Sequence, residues 1–362
     1  MTFSSIGSML KLFKIGSNEE TIPLLTQESI DVLYDHSIGD PSPVIYLPHD
    51  LTLYESIETK VRSANLNNMT RTTCYLDFFK RNPEIPWSFL AHMVSRNAGY
   101  LMTDLRSNLL SQILSKNEQK ALFSFLDLCN AAIFQDAYPQ LLLYEQWKKT
   151  GNSSFHLLRK FNISQFMTGI WKDYLTSGNK RALTVGLIMN EQHMIQRRIV
   201  SNQKNMGIEK WLFLFQDRLQ FTSILFPYGK RSPCSLAGLS VSHFEQVKSR
   251  IQLGKKLYSI LFHEKVFPTA YSFALKHPHS GSREDYWPHI YSSENKNKRL
   301  YSPTLRSVWD DAHPYSISPA DWFTDQSIDV MEPLLTLFIP GEYSMTKKWR
   351  MLTSILMNLK RD

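Results

Sequence analysis

The stretch "IFQDAYPQLLLYE", residues 133–145, decides the fold class, because it lies inside an apolar run of helical period that extends over residues 118–148. At about 100° per residue, Asp136 and Gln140 fall on one narrow stripe of an otherwise apolar cylinder. Such a helix is expected to be central and buried. Pro139 removes one main-chain hydrogen bond, which predicts a kink beside the two polar side chains.

The same helical spacing of apolar residues recurs on both sides of this stretch. It predicts helices over Ile85–Leu114, Glu118–Lys148, Ile163–Leu175, Lys180–Val200, Ile208–Leu225, Ser242–Leu275, Asp329–Phe338 and Met345–Leu359. Short polar turns separate most of these segments, and alternating strand patterns are almost absent. We therefore predict a mostly α fold, a single irregular multi-helix assembly around the central kinked helix.

Two segments depart from this pattern. Residues 1–70 contain a proline-punctuated loop and two short helical patterns, and are expected to form an N-terminal extension packed on the body. Residues 71–362 are then expected to form an all-α core domain. Within it, residues 277–322 lose the helical period, but seven Tyr and Trp residues predict an ordered, aromatic-anchored loop that wraps over the helices, with "SSENKNK" as its mobile tip.

Composition limits the classes of function. The 362 residues are 43% hydrophobic, and a net charge of +8 makes an anionic partner plausible. The basic groups are short and scattered, which argues against nucleic acid as the partner. Cys74, Cys129 and Cys234 form no C-x-x-C pair, so we expect a reduced protein of the cytoplasm. No run approaches the roughly 20 apolar residues of a membrane-spanning helix.

Two carboxylates stand on apolar helix faces. Asp136 shares its stripe with Gln140, and Glu191 projects from an apolar stripe with Arg198 two turns further along. A buried carboxylate must be paired, bind a metal or carry a raised pKa. We expect Asp136, Gln140 and Glu191 to be less than about a quarter exposed. Structural pairing with an arginine of a neighbouring helix and a role in a polar site both remain open.

The segment "SFLAHMVSRNAGY", residues 88–100, places His92 and Arg96 on one helix face. A solvated surface is one interpretation. The other is the wall of a site, in which Arg96 binds an anion and His92 exchanges a proton.

The long loop carries Arg283 and Asp285 between large aromatic residues. Because buried carboxylates need cationic partners, we predict that one of these two side chains reaches His92, Arg96, Asp136 or Glu191. Other loop residues have the side-chain types of Zn, Mn or Fe ligands, but their spacing matches no metal motif, and helix capping is the alternative: His277, His279, His289, Asp310, Asp311 and His313. No metal or other cofactor is assigned.

These residues define one functional hypothesis, an enzyme or a binder of a small anionic molecule with a buried polar pocket closed by loop 277–322. The catalytic candidates are His92, Asp136, Glu191 and Asp285, and the ligand-binding candidates are Arg96, Gln140 and Arg283. The alternative is a non-enzymatic interaction protein, peripheral to the membrane. Residues 344–362 form a basic amphipathic pattern that either packs on the body or binds an anionic membrane surface. Reaction, ligand and oligomeric state stay open.

Three segments carry a resemblance to a known family: "RTTCYLDFFKRNPEIPWSFLAHMVSRNAGYLMTDL", "NAAIFQDAYPQLLLYE" and "SREDYWPHIY". In these segments the chain resembles the YppC-like family of Bacillus-type firmicutes, a family of unknown function. The likeness runs from about Arg71 to about Trp322. It implies a cytoplasmic bacterial protein, and it carries over no catalytic residue.

Overall fold

The structure, a computed structural model, describes residues 20–38, 44–107, 110–111, 114–200, 223–229, 235–241, 246–294, 299–311 and 321–359. Its helices are α1 (Gln27–Ile38), α2 (Pro48–Ala64), α3 (Asn68–Arg81), α4 (Pro86–Asp104), α5 (Lys116–Thr150), α6 (Gln165–Ser177), α7 (Lys180–Ile195), α8 (Val247–Leu261), α9 (Phe267–Lys276), α10 (Leu305–Val308) and α11 (Thr346–Leu359). The predicted α class is therefore confirmed.

Helix α5 is the central element, as its sequence predicts. It begins at a capping box, in which the side chains of Ser115 and Glu118 each bind the other residue's backbone N–H. It ends at Gly151, whose left-handed conformation (φ +70°) suits a residue without Cβ. The helix remains continuous through Pro139. It contacts α2, α3, α4 and α7, so its apolar sides form the middle of the core.

Several helical predictions are wrong where short strands form. Residues 223–225, predicted to be helical, begin β2 (Ser223–Tyr228), and residues 208–222 lie outside the described residues. The pattern over 329–338 divides into a 3₁₀ helix, Ile328–Leu334, and strand β6, Thr336–Phe338. The pattern over 242–275 is helical as predicted but forms two helices, α8 and α9, and residues 242–245 lie outside the described residues. Short apolar runs fit either helix or strand, so tertiary pairing determines the outcome.

The strands form three small pairs. Strand β2 pairs antiparallel with β3 (Ser235–Ser240), and β4 (Tyr291–Ser292) pairs parallel with β5 (Leu300–Tyr301). Strand β1 (Thr21–Pro23) pairs antiparallel with β6, placing Thr21 opposite Phe338. The pairing of β1 with β6 and the packing of α1 against α6 join the N-terminal residues to the body.

The segment 277–322 follows the helical body. Its described aromatic residues include Tyr286, Trp287, Tyr291 and Trp322, all buried, while Tyr315 lies outside the described residues. A 3₁₀ turn, Arg283–Asp285, follows α9 and brings these two side chains against α4. Within "SSENKNK", residues 295–298 are not among those described.

The helix predicted over Met345–Leu359 is confirmed as α11, Thr346–Leu359. Its first turns pack on the body: Met345, which precedes the helix, and Trp349 are both buried, and the ring of Trp349 stacks on Trp287 with centroids 5.3 Å apart.

Candidate functional site

The candidate residues lie in separate groups, and most are paired inside the protein. Asp136 and Gln140 form the first group. Both are buried, as predicted. The Asp136 carboxylate accepts hydrogen bonds from Gln140 Nε2 (2.9 Å) and from Asn190 Nδ2 (2.5 Å). Gln140 Oε1 in turn accepts from the indole N–H of Trp171 at 2.8 Å.

Asn190, one turn before the end of α7, connects this group to the end of the long loop. Its Oδ1 accepts from the hydroxyl of Ser164 (2.6 Å) and from Trp322 Nε1 (2.9 Å). Burial is the main cause that raises the pKa of Asp136 to about 6. The charge of Arg198 and the hydrogen bonds from Asn190 and Gln140 oppose this rise in pKa. An arginine was one expected hydrogen-bond partner of Asp136, whereas these two hydrogen-bond donors are neutral amides.

Arg96 and Asp285 form the second group, and their contact confirms that the loop reaches the polar face of α4. Arg96 is fully buried and donates to Asp285 Oδ2 at 3.3 Å, to Tyr100 Oη at 3.2 Å and to the carbonyl oxygen of His277 at 2.6 Å. Asp285 also accepts from the backbone N–H and the hydroxyl of Ser280. Since the guanidinium is used internally, Arg96 does not present an open anion site.

His92 lies next to this group but does not join it. Its Nδ1 donates to the carbonyl oxygen of Thr72 at 2.8 Å, and burial holds the pKa of the ring well below its usual value. The ring is therefore neutral. Its Nε2 is buried and has no hydrogen-bond partner in the part of the chain that the structure describes.

Arg283 pairs with a residue that was not among the candidates. Its Nε and Nη2 donate to both carboxylate oxygens of Asp104 at the end of α4, over 2.5–2.9 Å. The guanidinium also stacks over Trp349, with its central carbon 5.0 Å from the ring centroid.

Glu191 belongs to a different environment, a cavity of about 270 Å³ between α4, α5, α7 and α8. The described walls are mostly apolar. They include Trp87, Leu90, Val94, Ala98, Leu122, Phe125, Ile133, Ile188, Leu253 and Leu257. Ser95, Asn97, Asn130, Gln192 and Arg250 contribute polar atoms, and Arg283 also reaches this surface.

The Glu191 carboxyl is electrostatically unusual. It is partly buried, and burial is the main cause that raises its pKa to about 8. Gln192 Nε2, which donates to it at 3.0 Å, and the Trp87 side chain oppose the shift, whereas the charge of Asp136 adds to it. At neutral pH most copies of this carboxyl therefore carry a proton.

Some of these residues could have been found from sequence, and others could not. Asn190 adjoins Glu191 on the same helix and Asp104 ends the Arg96 helix, but nothing in the pattern separates them from surface residues. The sequence does not distinguish the residues of the cavity wall from those of a filled core, because leucine, isoleucine and aromatic residues have the same helical spacing in a cavity wall and in a filled core. A buried ion pair, Arg71 with Asp127 at 2.7 Å, was also not foreseen.

Among the described residues, no cluster of three or more His, Cys, Asp and Glu side chains could hold a metal ion. His313, one of the loop residues with a ligand-type side chain, lies outside the described ranges. In the same part of the chain, no helix is long and apolar enough to cross a membrane.

Comparison with known proteins assigns the chain to a protein family whose function is unknown. The family described as "Protein of unknown function (DUF2515)" matches residues 63–344, and the chain belongs to this family. It is 39% identical over 275 residues to the "Uncharacterized protein YppC" of Bacillus subtilis (strain 168), covering 75% of this chain and 83% of that protein. The resemblance to the YppC-like family is thus confirmed. No solved structure matches the chain.

Proposed function

We propose that this protein binds a small, mostly apolar ligand in the cavity between α4, α5, α7 and α8. The observation that supports this proposal is the cavity itself. Its volume of about 270 Å³ exceeds the roughly 150 Å³ of an apolar cavity that stays dry and accepts benzene or xenon. Ligand-binding pockets are concave and mostly apolar with a few polar atoms, and this lining has that composition.

The pairing of the other candidates favours binding in this cavity over the polar pocket expected from sequence. Asp136, Gln140, Arg96 and Asp285 have their hydrogen bonds inside the protein. Of the candidates, Glu191 and Arg283 line the cavity, and Arg283 is bound to Asp104. An apolar ligand body therefore fits the walls better than a small anion, and Glu191 is the candidate that would contact its polar group.

Docking on an anionic membrane surface through residues 344–362 remains a separate prediction. Met345 and Trp349 are used in packing on the body, so this part of the apolar stripe is already covered.

Fluorescence of N-phenyl-1-naphthylamine, a dye that brightens in apolar cavities, tests the proposal. The wild type should bind the dye in a saturable way. Ala98→Leu, which adds three carbons to a side chain that lines the cavity on α4, should reduce the affinity by about tenfold or more. Ala121→Leu makes the same change at an exposed position of α5 and should leave binding unchanged. Equal binding by all three proteins would refute the proposal.

A further inference from the structure

Glu191 forms no ion pair with any residue that the structure describes, although its side chain is partly buried. Among the described residues, no lysine, arginine or histidine forms an ion pair with it, and its hydrogen bonds come from the side chains of Gln192 and Trp87. Both of these groups are neutral donors. A buried carboxyl is stabilised by a cation, by a metal or by retaining its proton, and Glu191, which has no cation among the described residues, retains its proton until a cationic group reaches it.

The wall around this carboxyl is aromatic. Trp87, Tyr75 and Phe125 line the same cavity. Trp87 and Tyr75 are buried, and the hydroxyl of Tyr75 has no hydrogen-bond partner in the described structure. The Tyr75 pKa is raised first by burial and then by the charge of Glu191, which indicates that the two groups are close. Aromatic faces beside a carboxylate attract ammonium groups through both the ring quadrupole and the charge.

Among the described residues, the charged groups near Glu191 are not paired with its carboxyl. Gln192 lies between Glu191 and Arg250: its Nε2 donates to Glu191, and its Oε1 accepts from Arg250 Nε at 2.9 Å. Arg250 also donates to Gln196. His193 has a pKa lowered to about 4, mainly by burial, and is neutral. Within the part of the chain that the structure describes, the carboxylate of Asp136 also acts on Glu191, and it would repel an anionic ligand as well.

We propose that the ligand of this cavity is an apolar amine, whose ammonium group pairs with the Glu191 carboxylate while its hydrocarbon part lies among the aromatic and aliphatic walls. This inference rests on the proposed function. A neutral carboxyl must first lose its proton to solvent, so at neutral pH the ammonium binds and close to one proton is released to the buffer. No other bond changes.

Isothermal titration with n-octylamine and n-octanol tests the inference. The two probes have the same chain length, and the amine is protonated at neutral pH, as a lysine side chain is. We expect the amine to bind the wild type at least about tenfold more tightly than the alcohol. Titrations at pH 7 in phosphate and in Tris, which differ in ionisation heat, should show close to one proton released per amine and none per alcohol.

Glu191→Gln keeps the shape of the side chain and removes its charge. It should lower the amine affinity by about thirtyfold or more and bring the ratio of octylamine to octanol affinity down to about one. Glu55→Gln, at an exposed position of α2, is the matched control and should change neither. The proton-release measurement uses the wild type alone, so it decides the question even if the variant fails to fold.

The outcomes separate the two proposals. If octanol binds as tightly as octylamine, or if the amine binds without proton release, the amine inference is refuted and the cavity function stands. If neither probe binds, both proposals fail.

Discussion

Arg283 and Asp104 form a two-point ion pair that fastens the long loop to the end of α4. Two nitrogens of the guanidinium meet both carboxylate oxygens, and the two side chains are 6% and 14% exposed. Burial alone raises the pKa of Asp104, and the neighbouring Arg283 opposes that rise. Each side chain therefore stabilises the charge of the other, because burying either charge without its partner would cost several kcal/mol.

Arg283→Ala should lower the free energy of unfolding by about 3–5 kcal/mol, because it leaves Asp104 buried without its cation. Chemical denaturation followed by circular dichroism measures the change. Arg306→Ala, at an exposed position of α10, is the control and should stay within about 0.5 kcal/mol of the wild type. A loss below about 1 kcal/mol for Arg283→Ala would show that the pair is not a structural anchor.

Asn190→Ala should also destabilise strongly. Asn190 donates to Asp136 and accepts from Ser164 and Trp322, so its removal leaves several buried polar groups without a partner. Each such group costs about 1–3 kcal/mol, and we expect a total loss of about 3 kcal/mol or more. Asn152→Ala, at an exposed position after α5, should change the unfolding free energy by less than about 0.5 kcal/mol. Similar stability of the two variants would contradict the network.

Glu191 should make stability depend on pH. Its pKa is about 8 in the folded protein and 4.5 for an ordinary glutamate, so between these pH values the folded state retains a proton that the unfolded state loses. Its contribution is fully present below pH 4.5 and is lost as pH rises through about 8. One pKa unit corresponds to about 1.4 kcal/mol, which predicts a decline of a few kcal/mol.

The Glu191→Gln variant should not show this decline. Its unfolding free energy minus that of the wild type should therefore increase between pH 5 and pH 9. Asp136, whose pKa is raised to about 6, acts in the same direction, but it is present in both proteins and largely cancels in the difference. A flat difference across this range would mean that Glu191 is solvated and ionised in the folded protein.

The sequence predicted the parts of this structure that follow from periodicity and neutralisation. The central helix, the burial of Asp136 and the contact of Asp285 with Arg96 follow from apolar spacing and from the cost of an unpaired charge. The helical period over 208–225 predicts helix for residues 223–225, but these residues begin strand β2, because so short an apolar run fits either period.

The partners of the candidate residues depended on tertiary packing. Asn190 meets Asp136 only because α7 crosses α5 at that level, and Asp104 meets Arg283 only because the loop turns back on α4. A cavity has no signature in sequence, since Phe125 and Ile188 would appear the same in a filled core. These features become visible only when the helices are placed together.

Diffraction from crystals pressurised with xenon tests the central claim, the existence of an apolar ligand cavity, most directly, because xenon enters dry apolar cavities without requiring any particular polar group. The account predicts xenon density between Phe125, Ile188 and Leu257 in the wild type. Xenon absent from this space, with protein side chains filling it, would contradict the account.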